Sequence, residues 1–366
     1  MSFLFKPVQL RGLTLTNRVM VSPMCQYSAV EGAATAWHTM HLGTLAVSGA
    51  AFLCLEATAV EPDGRITPAD LGLWDDRTEA ALKPVLDTVR FYSKAAVAIQ
   101  LAHAGRKASC RVPWEGGEQL PLDAGGWTPH APSALPFRAI DRAPQALNEQ
   151  GLARVRSAFV AATTRAARLG IDAIEIHAAH GYLLHEFLSP LANERTDRYG
   201  GSLENRMRFP LEIFEAVRTA FPADRPVGVR VSASDWVEGG WEIEQTVALG
   251  RELKARGVDW ITTSSGGTSP AQKIPLVPGY QVPFARALRE RAGTTTVAVG
   301  LITDPAQAEA ILAGGDADMI ALARGMLYDP RWGWHAAAAL GDRIEAPPQY
   351  WRAPPYAHKD LFLQVP

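Results

Sequence analysis

Short apolar runs alternate with longer segments of helical period along most of this chain. The runs Arg18–Ser22, Ala51–Glu56, Ala95–Leu101, Asp172–His177, Val227–Val231, Val258–Thr263, Thr295–Val299 and Ala317–Leu322 are short and β-rich, and each predicts a strand. Apolar residues recur every three or four positions near 37–48, 78–92, 149–169, 203–220, 242–256, 282–292, 304–313 and 330–340, which predicts helices there. Near-continuous apolar strands suit a parallel sheet covered by helices. Repeated strand–helix units of this number predict an α/β fold closed into a (β/α)8 TIM barrel, rather than an open doubly wound sheet. No interdomain linker interrupts the alternation, so residues 1–366 read as a single barrel domain. Two stretches exceed the minimal unit. Residues 104–147 form a Pro- and Gly-rich excursion after strand 3 without clear elements, and a Pro-rich tail begins at Ile344.

Composition narrows the class. The 366 residues are 47% hydrophobic and 20% charged, with a formal net charge of −2. That balance argues against a nucleic-acid partner. No apolar run is long enough for a membrane helix, and the first residues lack the apolar core of a signal peptide. Cys25, Cys54 and Cys110 are too few and too widely spaced for a disulfide framework or a zinc site, so a cytoplasmic protein is expected.

Chemistry in such barrels sits at the C-terminal ends of the strands. Here those ends carry Ser22-Pro23-Met24-Cys25, Glu56-Ala57-Thr58, Gln100 to His103, His177 with His180, Arg230, the run Ser264 to Ser269, Gly300, and Arg324-Gly325. Gly300 and Ala323–Gly325 follow strands 7 and 8, where such barrels often hold phosphate; a turn glycine and a surface arginine are the plain alternative. His177 and His180 lack the third ligand that a catalytic zinc requires, so no metal is expected. No lysine ends a strand to form a Schiff base, and no G-x-S-x-G elbow occurs. Two readings remain for the segment. The histidines hold a carbonyl oxygen while Tyr182 delivers a proton, or one histidine caps a helix and the tyrosine packs. His38 and His41 are expected to cap or pack, His185 to lie on a helix surface, and Ser202 to cap the following helix; His103 has no assigned role.

The motifs "SPMCQYSA", "DGRITPADLGLW", "QLAHAGRKA", "HAAHGYLLHEFLSPLANERTDRYGGSLENRMRF" and "VAVGLI" resemble the Old Yellow Enzyme family of FMN-dependent ene-reductases over nearly the whole chain. The cysteine ending strand 1 resembles the thermophilic-like and xenobiotic reductase subgroup. Some xenobiotic reductases carry tryptophans where this chain has Val299 and Lys359, so the resemblance does not fix its substrate wall. The resemblance implies tightly bound, non-covalent FMN, NADPH as hydride donor, and enone-type substrates. Ser22, Pro23, Met24 and Cys25 would line the flavin, Ala57 and Gln100 would contact its ring system, and Arg230 would lie beside N1 and O2. Gly300, Ala323, Arg324 and Gly325 would hold its phosphate. His177 and His180 would grip the substrate carbonyl, Tyr182 would donate the proton, and Tyr27 would offer a further hydroxyl. Hydride would pass from flavin N5 to the β-carbon; the alternative acceptors are nitro compounds, nitrate esters or dienoyl thioesters. By the same resemblance the protein would be a homodimer or homotetramer, with Arg352 of the tail entering a neighbour's active site.

Overall fold

The structure, a computed structural model, describes residues 1–363. A closed parallel barrel is formed by β1 (Val19–Val21), β2 (Phe52–Ala59), β3 (Ala96–Ala102), β4 (Ala173–Ala178), β5 (Val227–Ser232), β6 (Trp260–Ser264), β7 (Thr296–Ala298) and β8 (Met319–Leu322). Neighbours in sequence are neighbours in the sheet, and β8 returns to β1 with Ile320 opposite Val19, which leaves no open edge. The barrel is covered by α1 (Ala36–Ala46), α2 (Asp76–Tyr92), α3 (Glu149–Arg168), α4 (Leu203–Ala220), α5 (Ile243–Ala255), α6 (Val282–Arg291), α7 (Pro305–Ala313) and α8 (Trp332–Leu340). The expected (β/α)8 architecture is therefore present. Strand β2 runs past its expected end at Glu56, because a register shift between Leu55 and Ala57 lets pairing with β3 continue to Ala59.

The helices form where apolar spacing and caps coincide. In α3, Leu152, Val155, Phe159, Ala162 and Ala166 make one buried stripe, and Asn148 accepts the Gly151 N–H at its start. Ser202 accepts the Asn205 N–H at the start of α4, as its position implied. Two short helices, Leu183–Leu188 after β4 and Arg324–Tyr328 after β8, were not foreseen. Each is too short to show a period.

An antiparallel hairpin, Val8–Leu10 with Leu13–Leu15, precedes the barrel and was also unforeseen. Its Leu10 and Leu15 pack with Met20, Phe52, Trp260, Val297 and Met319, and so plug the end of the barrel where the strands begin. Trp260 fills much of that interior. Gly228 on β5 makes room for it, since a Cβ there would lie 2.1 Å from the indole. With the lower end packed dry, polar side chains gather at the opposite rim.

The excursion is ordered rather than featureless. It holds single 3-10 turns at Gly105–Lys107, Pro113–Glu115 and Leu122–Ala124, and a parallel pair joining His130–Ala131 to Gln145–Ala146. The tail pairs Ile344–Glu345 with Phe362–Leu363 and packs Tyr350 on Trp334 of α8. Among the described residues, no helix is long and apolar enough to cross a membrane.

Candidate active site

The barrel floor below the rim is a buried charged and polar layer built from the neighbouring strands β3, β4, β5 and β6. Glu175 on β4 is fully buried. It accepts hydrogen bonds from Gln100 Nε2 at 2.8 Å and from Thr262 Oγ1 at 2.5 Å. Arg230 on β5 is also buried, and its Nη1 donates to Ser22 Oγ at 2.8 Å. Burial lowers the guanidinium pKa, against the opposing pull of Glu175. Its Nε is enclosed without a hydrogen-bond partner, an unmet donor of the kind a bound acceptor satisfies.

Around this layer the structure brings together most of the residues expected at the site. Ser22 is buried, while Pro23, Met24 and Cys25 are partly exposed at the end of β1. The Cys25 sulfur is hydrogen-bonded to the Ala57 backbone and to the Tyr27 side chain. Burial, then the charges of Asp70 and Glu56, raise its pKa well above the usual thiol range, so it stays a thiol. Tyr27 has φ +48 and packs edge-on against Trp114 of the excursion, with ring centroids 5.8 Å apart. A cavity of about 160 Å³ opens beside it, lined by Lys107, Cys110, Phe137 and Arg138 among others. Gly300 has φ +122, and a Cβ there would lie 2.6 Å from Gln281 Nε2. Ala323 precedes the short helix whose first residues are Arg324 and Gly325, with Arg324 exposed.

The histidine segment folds back on itself just beyond β4. His180 and Gly181 both take left-handed backbone conformations, φ +59 and +72. Gly181 must be glycine, because a Cβ would lie 2.1 Å from the Gly267 carbonyl oxygen on the loop after β6. The ring of His177 meets those of His180 and Tyr182 edge-on, each pair 5.1 Å apart between centroids. His177 Nδ1 accepts the Ala179 N–H at 3.3 Å, which leaves the ring proton on Nε2. His180 Nε2 lies 2.6 Å from Ser264 Oγ. Burial, then the positive charge of Arg230, lowers both imidazole pKa values well below their usual range, so both rings are neutral. Burial raises the Tyr182 phenol well above its usual pKa, so it carries its proton.

His185 corrects the expectation of a surface residue. It is fully buried, its Nε2 lies 3.0 Å from Asp235 Oδ1, and its Nδ1 accepts the Gly181 N–H at 2.9 Å. Asp235 also accepts from Ser189, Thr268 and the Trp241 backbone. Burial pushes this carboxyl up, but His185 and these donors outweigh it and hold the pKa down to about 2. A depressed carboxyl pKa adds stability above its unfolded value near 4 and loses it as pH falls toward 2. The unfolding free-energy gap between the wild type and Asp235→Asn should narrow by about 1 kcal/mol between pH 6 and pH 3. A gap that stays constant in urea titrations at those two pH values would remove this role.

Three further residues escaped the sequence reading. His103 is buried, with Nε2 3.0 Å from Glu61 Oε1 and Nδ1 accepting the Gly105 N–H, so it anchors the start of the excursion rather than facing the mouth. Glu175 read only as a strand residue. Lys107, inside "QLAHAGRKA", sits between the histidine turn and the loop after β6. His38 caps α1 through the Thr35 N–H, while Arg352 is exposed on the tail and takes no part in the mouth of its own barrel. Among the described residues, no group of three or more His, Cys, Asp or Glu side chains is placed to hold a metal ion.

Residues 3–342 match the model of the NADH:flavin oxidoreductase / NADH oxidase family. An NADPH dehydrogenase of Geobacillus thermodenitrificans is 45% identical over 351 residues, which span 95% of this chain and 98% of that protein. An NADPH dehydrogenase of Listeria innocua is 44% identical over 355 residues, 96% of this chain and 99% of that one. Among solved structures, morphinone reductase in complex with tetrahydroNAD superposes with a TM-score of 0.76 at 29% identity, covering 99% of this chain and 98% of that chain.

Proposed function

Starting from a chain that belongs to the NADH:flavin oxidoreductase / NADH oxidase family, the Old Yellow Enzyme family, and is an FMN-dependent NADPH oxidoreductase, we propose that it reduces the activated C=C bond of α,β-unsaturated carbonyl compounds. The observation that carries this reading is the convergence of two neutral imidazoles and one protonated phenol on the rim.

The residues at the rim fit a flavin. The enclosed Arg230 Nε lacks an acceptor, Gln100 is bonded to Glu175 in the same layer, and Gly300 and Gly325 present bare backbone after β7 and β8. Ser22, Pro23, Met24, Cys25, Ala57, Gln100 and Arg230 would hold the ring system, and Gly300, Ala323, Arg324 and Gly325 the phosphate. The bound flavin supplies hydride chemistry, taking two electrons from NADPH and giving them to an acceptor.

The chain's own side chains then govern the acceptor. His177 offers Nε2–H to the substrate carbonyl oxygen. His180 offers Nδ1–H when the Ser264 hydroxyl donates to its Nε2. Both are neutral donors fixed where negative charge develops, so they favour an enolate without reorganising. Tyr182 delivers a proton to the α-carbon, and the neighbouring Tyr27 hydroxyl borders the substrate space. The Cys25 thiol, held protonated, is a poor nucleophile toward substrate and would instead offer a hydrogen bond to the flavin.

An anaerobic visible spectrum tests the reading. Flavin bands should bleach with NADPH and return on addition of 2-cyclohexenone. Bands that stay bleached would move the acceptor to nitro compounds, nitrate esters or dienoyl thioesters. The exposed Arg352 on a tail packed outside the barrel supports a homodimer or homotetramer in which this arginine enters a neighbour's mouth. A monomer in sedimentation analysis would rule that arrangement out.

A further inference from the structure

We infer that Lys107 is a positioning residue: it ties the turn carrying His180 and Tyr182 to the loop after β6, and it steadies the negative charge left on Tyr182 once the proton has gone. The second role rests on the function proposed above.

The geometry is specific. Lys107 Nζ donates to the carbonyl oxygen of His180 at 2.8 Å and to that of Gly267 at 3.1 Å. These carbonyls belong to two loops whose backbones touch, since a Cβ on Gly267 would lie 2.4 Å from the His180 carbonyl. His180 is a non-glycine residue held in the left-handed region at φ +59, and such a backbone persists only where its surroundings enforce it. One ammonium thus replaces water at two carbonyls that face each other. Charge-assisted bonds of this kind are stronger than neutral ones.

The same ammonium stands 4.9 Å from the centroid of the Tyr182 ring and 4.8 Å from that of Phe137. A cation over an aromatic face is attracted to it, and the attraction grows when the ring becomes a phenolate. The charged and titratable groups around it are Arg106, Glu186, Cys110, His177 and His180. Of these, Glu186 has its own acceptor bond from the Arg106 N–H, and both histidines are neutral, so among the described residues no carboxylate pairs directly with the ammonium. Burial holds the Lys107 pKa down to about 8, which leaves the group mostly cationic at pH 7. Proton transfer from the Tyr182 O–H to the α-carbon forms one C–H bond and leaves a tyrosinate beside this cation. Water then returns the proton.

The test uses the FMN-loaded enzyme and the variants Lys107→Met and Lys107→Arg. Amide exchange in residues 178–183 and 266–268 should quicken about tenfold in Lys107→Met and recover in Lys107→Arg. Stopped-flow rates should show reoxidation by 2-cyclohexenone falling about tenfold more than reduction by NADPH, again with recovery in Lys107→Arg. Unchanged exchange would overturn the tie between the loops. An equal fall in both half-reactions would overturn the charge role. A wild-type enzyme that the enone cannot reoxidise would instead defeat the proposed function, and the exchange data would still decide the positioning role. Should Lys107→Met not fold, Lys107→Gln, which keeps a donor and loses the charge, should leave the exchange rates nearly unchanged and still slow reoxidation, and reoxidation at the wild-type rate would overturn the charge role.

Discussion

Tyr182→Phe should slow reoxidation of the reduced enzyme by an enone about 100- to 10,000-fold, the range for removing a general acid. Reduction by NADPH should change less than about twofold, because that half-reaction consumes no proton from the phenol. The substitution is clean in this fold. Phenylalanine keeps the ring edge against His177 and the face toward Lys107, and removes only the hydroxyl. Among the described residues, that hydroxyl has no hydrogen-bond partner in the chain, so none is orphaned and stability should hold within about 0.5 kcal/mol. Stopped-flow measurement of the two half-reactions separates the outcomes. Equal losses in both would remove the proton-donor role, and no loss in either would point to water as the donor.

Arg230→Met should destabilise the flavin-stripped protein by about 1–3 kcal/mol, the cost of taking the donor from the buried Ser22 hydroxyl and removing the cation whose charge offsets that of Glu175. Glu175 would remain enclosed opposite an apolar side chain, and Ser22 Oγ would lose its donor. The double variant Arg230→Met/Glu175→Gln should recover much of the loss, since the glutamine amide carries no charge and can still meet Gln100 and Thr262. The single variant should also fail to retain FMN through desalting, because the cofactor loses the cation at the base of its site. Urea unfolding and the ratio of visible to ultraviolet absorbance report the two effects. A loss under about 1 kcal/mol with full flavin retention would show that the charged layer serves neither purpose.

The barrel and the location of its mouth were legible along the chain. Alternation between apolar strands and amphipathic helices is a local property, as the buried stripe of α3 shows, and strand ends mark where polar side chains collect. Ser22, Gln100, His177, His180 and Arg230 could therefore be singled out by position. What the residues left open, catalysis or mere packing for His177, His180 and Tyr182, depends on contacts between segments far apart in sequence. His185 looks like a helix-surface residue until Asp235, fifty positions later, closes on it and uses it to hold the Gly181 N–H. Glu175 looks like one more strand residue until the pleat turns it inward beside Gln100 and Thr262. Lys107 gains its role only where the loops after β3, β4 and β6 meet. Periodicity is written into neighbouring residues and fixes which elements form. Burial, protonation state and the aim of a donor arise from distant partners, and only barrel closure sets those.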